Sequence, residues 1–204
     1  MYKYNKDAIR TNDREAVISR IPAEGVLRIT IFGDSFTHGN DVPFNDTWGV
    51  LLERQLGKAG IHAEVLNFGV GGYGMDQSLL RWRQTGYLYE PDVVIFGLQV
   101  ENINRNVNLA RTFYFREPVI PFFNPRFVLE QGRLRPINTP TPPPEAIMRI
   151  VSHFDIWQNS KHEVWYDPGK YRDRLLFKSK LISFVYARAR ESLVSKKAWN
   201  GEDP

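Results

Sequence analysis

The sequence predicts an α/β protein built on a parallel sheet. Predicted strands at 27–32, 64–68 and 92–98 alternate with stretches of helical periodicity at about 48–58 and 75–84. This alternation of strand and helix is typical of a parallel sheet. Right-handed crossovers then place the helices on the faces of that sheet. The length of 204 residues fits a single domain.

The elements have local signals of their own. Strand 27–32 is bounded by glycines, and helix 48–58 follows the N-cap chemistry of Asn45-Asp46-Thr47 and stops near Gly60. Segment 92–98 is a continuous apolar run, which predicts a central strand buried on both faces. Only three core strands are visible, whereas such sheets usually have about five or more. The sheet is therefore expected to be incomplete in this chain.

We divide the chain into an extended polar arm (1–24), an α/β core (25–104) and a third segment of the same domain (105–204). The third segment is expected to contain a hairpin (126–129 and 134–137, turning at Gln131-Gly132), a proline-rich strap (139–144) and helices at about 145–157 and 171–195.

The composition excludes several classes of function. The chain has no cysteine, which rules out disulfides, thiolate nucleophiles and cysteine-ligated zinc. A net charge of +4 is spread along the chain and not gathered into a run, so we expect no nucleic-acid partner. No apolar run approaches the ~18 residues of a membrane span, and the polar residues 1–13 do not resemble a signal peptide. The sequence does not indicate the cellular compartment of the protein.

Candidate catalytic groups follow each of the three strands. Gly33-Asp34-Ser35 follows the first, a glycine cluster at 69–74 follows the second, and Asn102 follows the third. If the first strand lies between the other two, these loops meet at the carboxyl edge, where open α/β sheets bind ligands. A serine in a tight turn is a candidate nucleophile, while glycine N–H groups and an asparagine amide can hold an oxyanion. Asn104 competes with Asn102 for the amide role.

Each segment also has a simpler explanation. Gly-Asp-Ser is a common turn, Asp34 can form an Asx turn with its own backbone, and Asn102 can cap the end of a strand. The ordered set of three is more specific than any one of them.

The glycine cluster has a competing interpretation as a dinucleotide-binding loop. Gly69-x-Gly71-x-x-Gly74 lies between a strand and a helix, as that fingerprint requires. However, it follows the second strand, and the acidic residue expected about 20 positions later is poorly placed. Glu101 is the only candidate for it.

The same three segments resemble the sequence blocks of the SGNH/GDSL hydrolases. Residues 33–37 (GDSFT) resemble the first block, and residues 67–74 (NFGVGGYG) resemble the second. The third block is usually Gly-x-Asn-Asp; here Asn102 matches, while Ile103 replaces the aspartate. The resemblance covers residues 10–104 well and continues weakly beyond them, where the chain looks like an insertion.

This resemblance implies a flavodoxin-like, three-layer α/β/α sheet and a serine esterase, lipase or O-deacetylase. It implies Ser35 as the nucleophile and an oxyanion hole formed by Ser35, Gly72 and Asn102. It calls for no metal and no organic cofactor, and its substrates are small-molecule or carbohydrate esters. Three further residues are expected to line the substrate pocket: Asp34, His38 and Tyr73.

The fourth block of the family, Asp-x-x-His, supplies the general base and the residue that orients it, and the sequence contains no such motif. His38 is the one histidine close to Ser35 in sequence, but a residue three positions on in a tight loop rarely points back at the serine. His62, at the wrong end of the sheet, and His153 and His162, in the helical region, are assigned to the surface or to packing.

We therefore expect this chain to be an N-terminal portion of a longer hydrolase, inactive alone and able to self-associate through an unfinished sheet edge. Three alternatives remain: a degenerate, non-catalytic relative that binds carbohydrate or a partner, an O-acetyltransferase on the same scaffold, and, remotely, a dinucleotide-binding module.

Overall fold

The computed structural model describes residues 1–114 and 122–167, together with residues 185, 188 and 189. The chain divides into two compact units, Met1–Asn102 and Ile103–Pro204. The candidate catalytic groups lie in the first unit.

The first unit contains a five-stranded sheet with the spatial order β1-β2-β4-β3-β5. The central β3 pairs in parallel with β4 on one side and β5 on the other, whereas β2 pairs antiparallel with β4 and with β1. The strands are β1 (Lys3–Tyr4), β2 (Arg10–Thr11), β3 (Leu27–Gly33), β4 (Ala63–Asn67) and β5 (Val93–Gly97). The helices are α1 (Ser35–His38), α2 (Trp48–Lys58) and α3 (Met75–Gln84), with 3₁₀ turns at Phe44–Asp46 and Gly86–Tyr89.

Helices cover both faces of the sheet. Ile31 and Phe32 are consecutive on β3, so their side chains point to opposite faces. Gly49 of α2 packs so closely on Ile31 that an added Cβ would lie 2.7 Å from its Cδ1. On the other face, the ring of Trp82 in α3 lies 6.0 Å from the ring of Phe32. The predicted three-layer α/β/α architecture is therefore confirmed.

The predicted parallel sheet is present, but the N-terminal residues make the whole sheet mixed. Residues 1–24, expected as an extended arm, contribute the antiparallel strands β1 and β2. The side chain of Asn5 accepts hydrogen bonds from the backbone of Asp7 and Ile9 and so shapes the turn between these strands. Ile9 then enters the core beside Phe32 and Phe68. Strands of two residues are too short to show an alternating pattern, which explains why the sequence did not predict them.

The prediction that segment 92–98 is a central, doubly buried strand is wrong. In the described part of the chain β5 pairs with β3 alone and lies at the edge of the sheet. Val93 is 39% exposed, and the other four residues of β5 are half-buried. The apolar pattern of a strand indicates that its side chains can be buried. Whether they are buried depends on the strands that lie beside it. The predicted self-association through this edge stays a prediction.

The second unit contains a β-hairpin and short helices. Strands β6 (Arg126–Glu130) and β7 (Arg133–Ile137) pair antiparallel around Gln131 and Gly132, whose φ values of 50° and 75° are those of a type I′ turn. The helices are α4 (Asn102–Asn106), which begins at the last residue of the first unit, α5 (Arg111–Tyr114) and α6 (Pro144–Ser152), with 3₁₀ turns at Phe154–Ile156 and Ser160–His162. The helix expected at 171–195 lies outside the described residues. No helix among the described residues is long and apolar enough to cross a membrane.

A buried carboxylate organises the second unit. Glu163 accepts hydrogen bonds from the backbone N–H groups of Leu109, Ala110 and Trp165, and from the side-chain amide of Asn108. Burial raises the pKa of Glu163 to about 7, although these four donors favour the ionised form.

Candidate active site

The turn that carries Ser35 is short and capped on both sides. Strand β3 ends at Gly33, and the side chain of Asp34 accepts a 2.9 Å hydrogen bond from the backbone N–H of Phe36, which caps the four-residue helix α1. The carbonyl oxygen of Ser35 accepts from the N–H groups of Gly39 and Asn40, both at 2.9 Å. Ser35 is thus half-buried at the first position of α1, directly beyond the carboxyl end of the central parallel strand.

Thr37 is wedged between the ends of two neighbouring strands. Gly33 of β3 and Gly97 of β5 are register partners, and a Cβ on either would lie 2.2 or 2.3 Å, respectively, from the Thr37 hydroxyl oxygen. Thr37 is 2% exposed. The last residue of the GDSFT segment therefore fixes α1 over the sheet edge, and this packing explains the glycine at both strand ends.

The glycine loop after β4 lies against the backbone of α1. Pairing with β3 continues past β4, since Val70 N–H donates to the Gly33 carbonyl at 3.0 Å. The side chain of Asn67 donates to the Thr37 carbonyl at 2.8 Å and accepts from the Gly69 N–H at 2.9 Å, which ties the loop to α1. A Cβ on Gly69 would lie 2.4 Å from the backbone nitrogen of His38. Close packing thus accounts for the first glycine of the dinucleotide-like pattern without a nucleotide.

Asn102 reaches the same turn from the segment after β5. It is 1% exposed, and its Nδ2 donates to the Asp34 carboxylate at 3.0 Å. Asp34 fixes the orientation of the amide, because the Asn102 carbonyl oxygen would be repelled by a carboxylate. The Oδ1 atom of Asn102 is buried with no hydrogen-bond partner among the described residues. Asn104 is engaged in a different way, through its backbone carbonyl, which accepts from the indole of Trp165.

Gly72 and Tyr73 are the other two residues of the glycine loop that belong to the predicted site. Gly72 has a φ of 86°, in the left-handed region that favours glycine. Tyr73 is half-buried and forms a hydrogen bond with Arg81. Their predicted roles, an oxyanion donor and a pocket residue, stay predictions. The loop ends at Gly74, whose N–H donates to the side chain of Gln77 at the start of α3.

His38 is buried at 3% exposure, and its ring faces the N-terminal strands. Its Nε2 lies 2.7 Å from the Tyr4 hydroxyl, and its Nδ1 lies 3.4 Å from a guanidinium nitrogen of Arg10. The ring of Tyr2 packs edge-on against it at 4.9 Å. Burial, together with the positive charge of Arg10, lowers the pKa of His38, so the ring is neutral at neutral pH.

The remaining histidines lie in other parts of the chain. His62 is exposed just before β4, at the amino end of the parallel strands and hence opposite Ser35. His153 follows α6 and is exposed, and His162 is half-buried at the end of a 3₁₀ turn of the second unit. Within the described residues, no group of three or more His, Cys, Asp or Glu side chains is placed to hold a metal ion.

Sequence reasoning missed two side chains that hold α1 in place, Arg10 and Asn67. Arg10 donates to the carbonyls of His38 and Gly39, as Asn67 does to that of Thr37. Asn67 stands next to the glycine cluster, which is a weak signal. Arg10 has no local signal, because its partners are 28 and 29 residues away.

A search of curated proteins finds no match to the chain. Among solved structures, the chain is similar to TesA, with 22% identity over 38% of this chain and 43% of TesA and a TM-score of 0.36. It is also similar to AlinE4, an SGNH-hydrolase family esterase, with 25% identity over 41% of this chain and 46% of AlinE4 and a TM-score of 0.35. The chain spans less than half the length of these structures.

A protein-family model matches a larger part of the chain than these structures do. The model of the GDSL-like lipase/acylhydrolase family matches residues 31–146, from the middle of β3 into α6, which is more than half of the chain. The matched range includes Ser35, the glycine loop and Asn102, which the fold brings to one edge of the sheet. The chain belongs to the GDSL-like lipase/acylhydrolase family.

Proposed function

We propose that this chain bears the nucleophile and the oxyanion hole of a serine acyl-ester hydrolase, with Ser35 as the nucleophile. The observation that supports this most is the meeting of three loops at the carboxyl edge of β4, β3 and β5. Ser35 lies at the start of α1, the glycine loop packs on the α1 backbone, and the Asn102 amide is bonded to Asp34 at 3.0 Å. Acyl transfer needs a nucleophile beside neutral hydrogen-bond donors, and this edge carries both.

In the proposed reaction, Ser35 Oγ attacks the carbonyl carbon of the ester while its proton passes to a histidine. The negative charge then forms on the former carbonyl oxygen, where the N–H groups of Ser35 and Gly72 and the Nδ2 of Asn102 donate to it. Collapse of this intermediate releases the alcohol, which takes the proton back from the histidine. A water molecule, deprotonated by the same histidine, attacks the acyl-serine, and the acid leaves as Ser35 regains its proton.

We propose that the histidine comes from outside this chain. No histidine of the sequence stands three residues after an aspartate. His38, the one closest to Ser35 in sequence, has both ring nitrogens engaged by Tyr4 and Arg10. The chain by itself is then expected to hydrolyse little or no ester.

The substrate is proposed at the level of class: an ester of a small molecule or of a carbohydrate. This substrate class is taken from the family, because the residues proposed for the site contact the reacting ester group and not the rest of the substrate.

The test is hydrolysis of p-nitrophenyl acetate by the protein expressed from its complete reading frame. Ser35→Ala should lower kcat by about 10³-fold or more, because removing a catalytic serine leaves only binding and oxyanion stabilisation. The matched control is Ser19→Ala, an exposed serine in the segment before β3. If Ser35→Ala retains the activity of the Ser19→Ala control, the proposed function is wrong.

A further inference from the structure

Helix α1 cannot maintain its own conformation. A helix of four residues has only begun to form its internal hydrogen bonds, and helices this short are unstable in isolation. The carbonyl groups at its carboxyl end also have no partners within the helix and must find them elsewhere. The groups that bond these carbonyls therefore decide where Ser35 is held.

Two side chains that are neighbours across the sheet bond three successive carbonyls of this turn. Arg10 on β2 is the register partner of Asn67 on β4. Asn67 donates to the carbonyl of Thr37, and the guanidinium of Arg10 donates to the carbonyls of His38 and Gly39. Arg10 also donates to the Val42 carbonyl at 2.7 Å, which extends the contact past the turn.

Arg10 is built into this position. It is 3% exposed, and within the described residues it forms no salt bridge with a carboxylate. Its guanidinium lies 4.8 Å from the centre of the Tyr2 ring, and a Cβ on Gly39 would approach its Nη1 to 3.0 Å. A buried guanidinium is unfavourable unless its donors are satisfied, and here backbone carbonyls satisfy them. The positive charge is also favourable beside the carboxyl end of a helix.

We infer that Arg10 is a positioning residue for Ser35, which acts by holding the carbonyls at the end of α1. This inference rests on the proposed function, because it assigns Arg10 a role in a reaction at Ser35. It gives residues 2–11 a part in the site. Strands β1 and β2 bring Arg10 under the turn, and Tyr2 and Tyr4 cover His38 at the end of α1.

Two variants and one control test this role. Arg10→Met keeps much of the apolar stem and removes every donor, whereas Arg10→Lys keeps the charge but cannot reach several carbonyls with one planar group. Arg14→Met is the matched control, since Arg14 lies in the same N-terminal segment and is exposed.

The first readout is amide hydrogen exchange in the chain itself. The N–H groups of Gly39 and Asn40 both donate to the Ser35 carbonyl, whereas that of Asp92 donates to the Arg28 carbonyl at the other end of β3 and reports opening of the sheet away from α1. In Arg10→Met we expect exchange at Gly39 and Asn40 to accelerate about ten-fold or more, with no change at Asp92. Unchanged exchange at Gly39 and Asn40, or an equal acceleration at Asp92, would overturn the inference.

The second readout is kinetic and uses the protein from the complete reading frame. We expect Arg10→Met to lower kcat at least about ten-fold with KM within about two-fold, and Arg10→Lys to recover part of the loss. A kcat equal to that of Arg14→Met would overturn the inference. Hydrogen exchange does not depend on which residue is the nucleophile. An active Ser35→Ala variant would therefore refute the proposed function and leave the exchange result unchanged. An inactive Ser35→Ala with a fully active Arg10→Met would refute only the role of Arg10.

Discussion

Replacing Gly69 by alanine tests whether the glycine loop sets the position of the Ser35 turn. The new Cβ would lie 2.4 Å from His38 N, 2.8 Å from the carbonyl carbon of Thr37 and 2.9 Å from His38 Cα, all of them backbone atoms of α1. Ordinary contact begins near 3.4 Å, so the loop and α1 must separate by about 1 Å. Overpacking of this kind destabilises a protein by about 1–3 kcal/mol.

Gly69→Ala should reduce activity as well as stability. A displacement of about 1 Å at a reacting group can lower the rate by about 10²-fold. We therefore expect Gly69→Ala to lower kcat by about that factor. The variant should still be folded in the absence of urea, and a urea titration would measure its loss of unfolding free energy. Gly57→Ala is the matched control: Gly57 is exposed in α2, an added Cβ meets nothing within 4 Å, and stability should rise by about 0.5–1 kcal/mol. If Gly69→Ala matched Gly57→Ala in both kcat and stability, the packing argument would be refuted.

Two further predictions concern Asn102 and Glu163. Asn102→Ala should lower kcat by about 10²-fold or more with little change in KM, because it removes a donor to the oxyanion. Steady-state kinetics on p-nitrophenyl acetate would measure this. An unchanged kcat would show that Asn102 is not part of the proposed oxyanion hole. The folded-state pKa of Glu163, about 7, is raised above the ordinary value of 4.5, so its contribution to stability is fully present below pH 4.5 and is lost as the pH rises through about 7. Denaturation midpoints of the wild type should fall across this window, and Glu163→Gln, which cannot ionise, should flatten the profile; a variant with the wild-type slope would contradict the assignment.

Helices α2 and α3 and the parallel strands of the first unit were predictable because their signals are local. Helix α2 follows residue types that favour an N-cap, although the side chain of Thr47 forms no capping hydrogen bond, and a glycine lies just beyond its end. Strand β3 is a β-branched run between glycines, and β4 directly precedes the glycine cluster. The meeting of the three loops was predicted on the condition that β3 lies between β4 and β5, and the strand order of the sheet meets this condition.

Features that depend on distant residues were not predictable in this way. The edge position of β5 depends on which strands stand beside it, and its own apolar run carries no such information. The wedge formed by Thr37 requires Gly97, which lies 60 residues further along the chain. The contacts of Arg10 with α1 require the pairing of β2 with β4, and a strand of two residues leaves no periodic signal.

The contacts of the site were harder to predict than its residue types. The types at 34, 35 and 102 indicated acyl transfer, but the bond from Asn102 to Asp34 and the contact of Gly69 with α1 emerge only when the strand ends are brought together. The buried ring of His38 shows the same limit, because its partners come from β1 and β2.

The most direct test of the central claim is to identify the residue that becomes covalently modified. The protein from the complete reading frame would be treated with a fluorophosphonate, which reacts with activated serines, and the modified peptide would be mapped by mass spectrometry. We predict a single adduct on Ser35 and parallel loss of esterase activity. An adduct on another serine, or full loss of activity with Ser35 unmodified, would contradict the claim that Ser35 is the nucleophile.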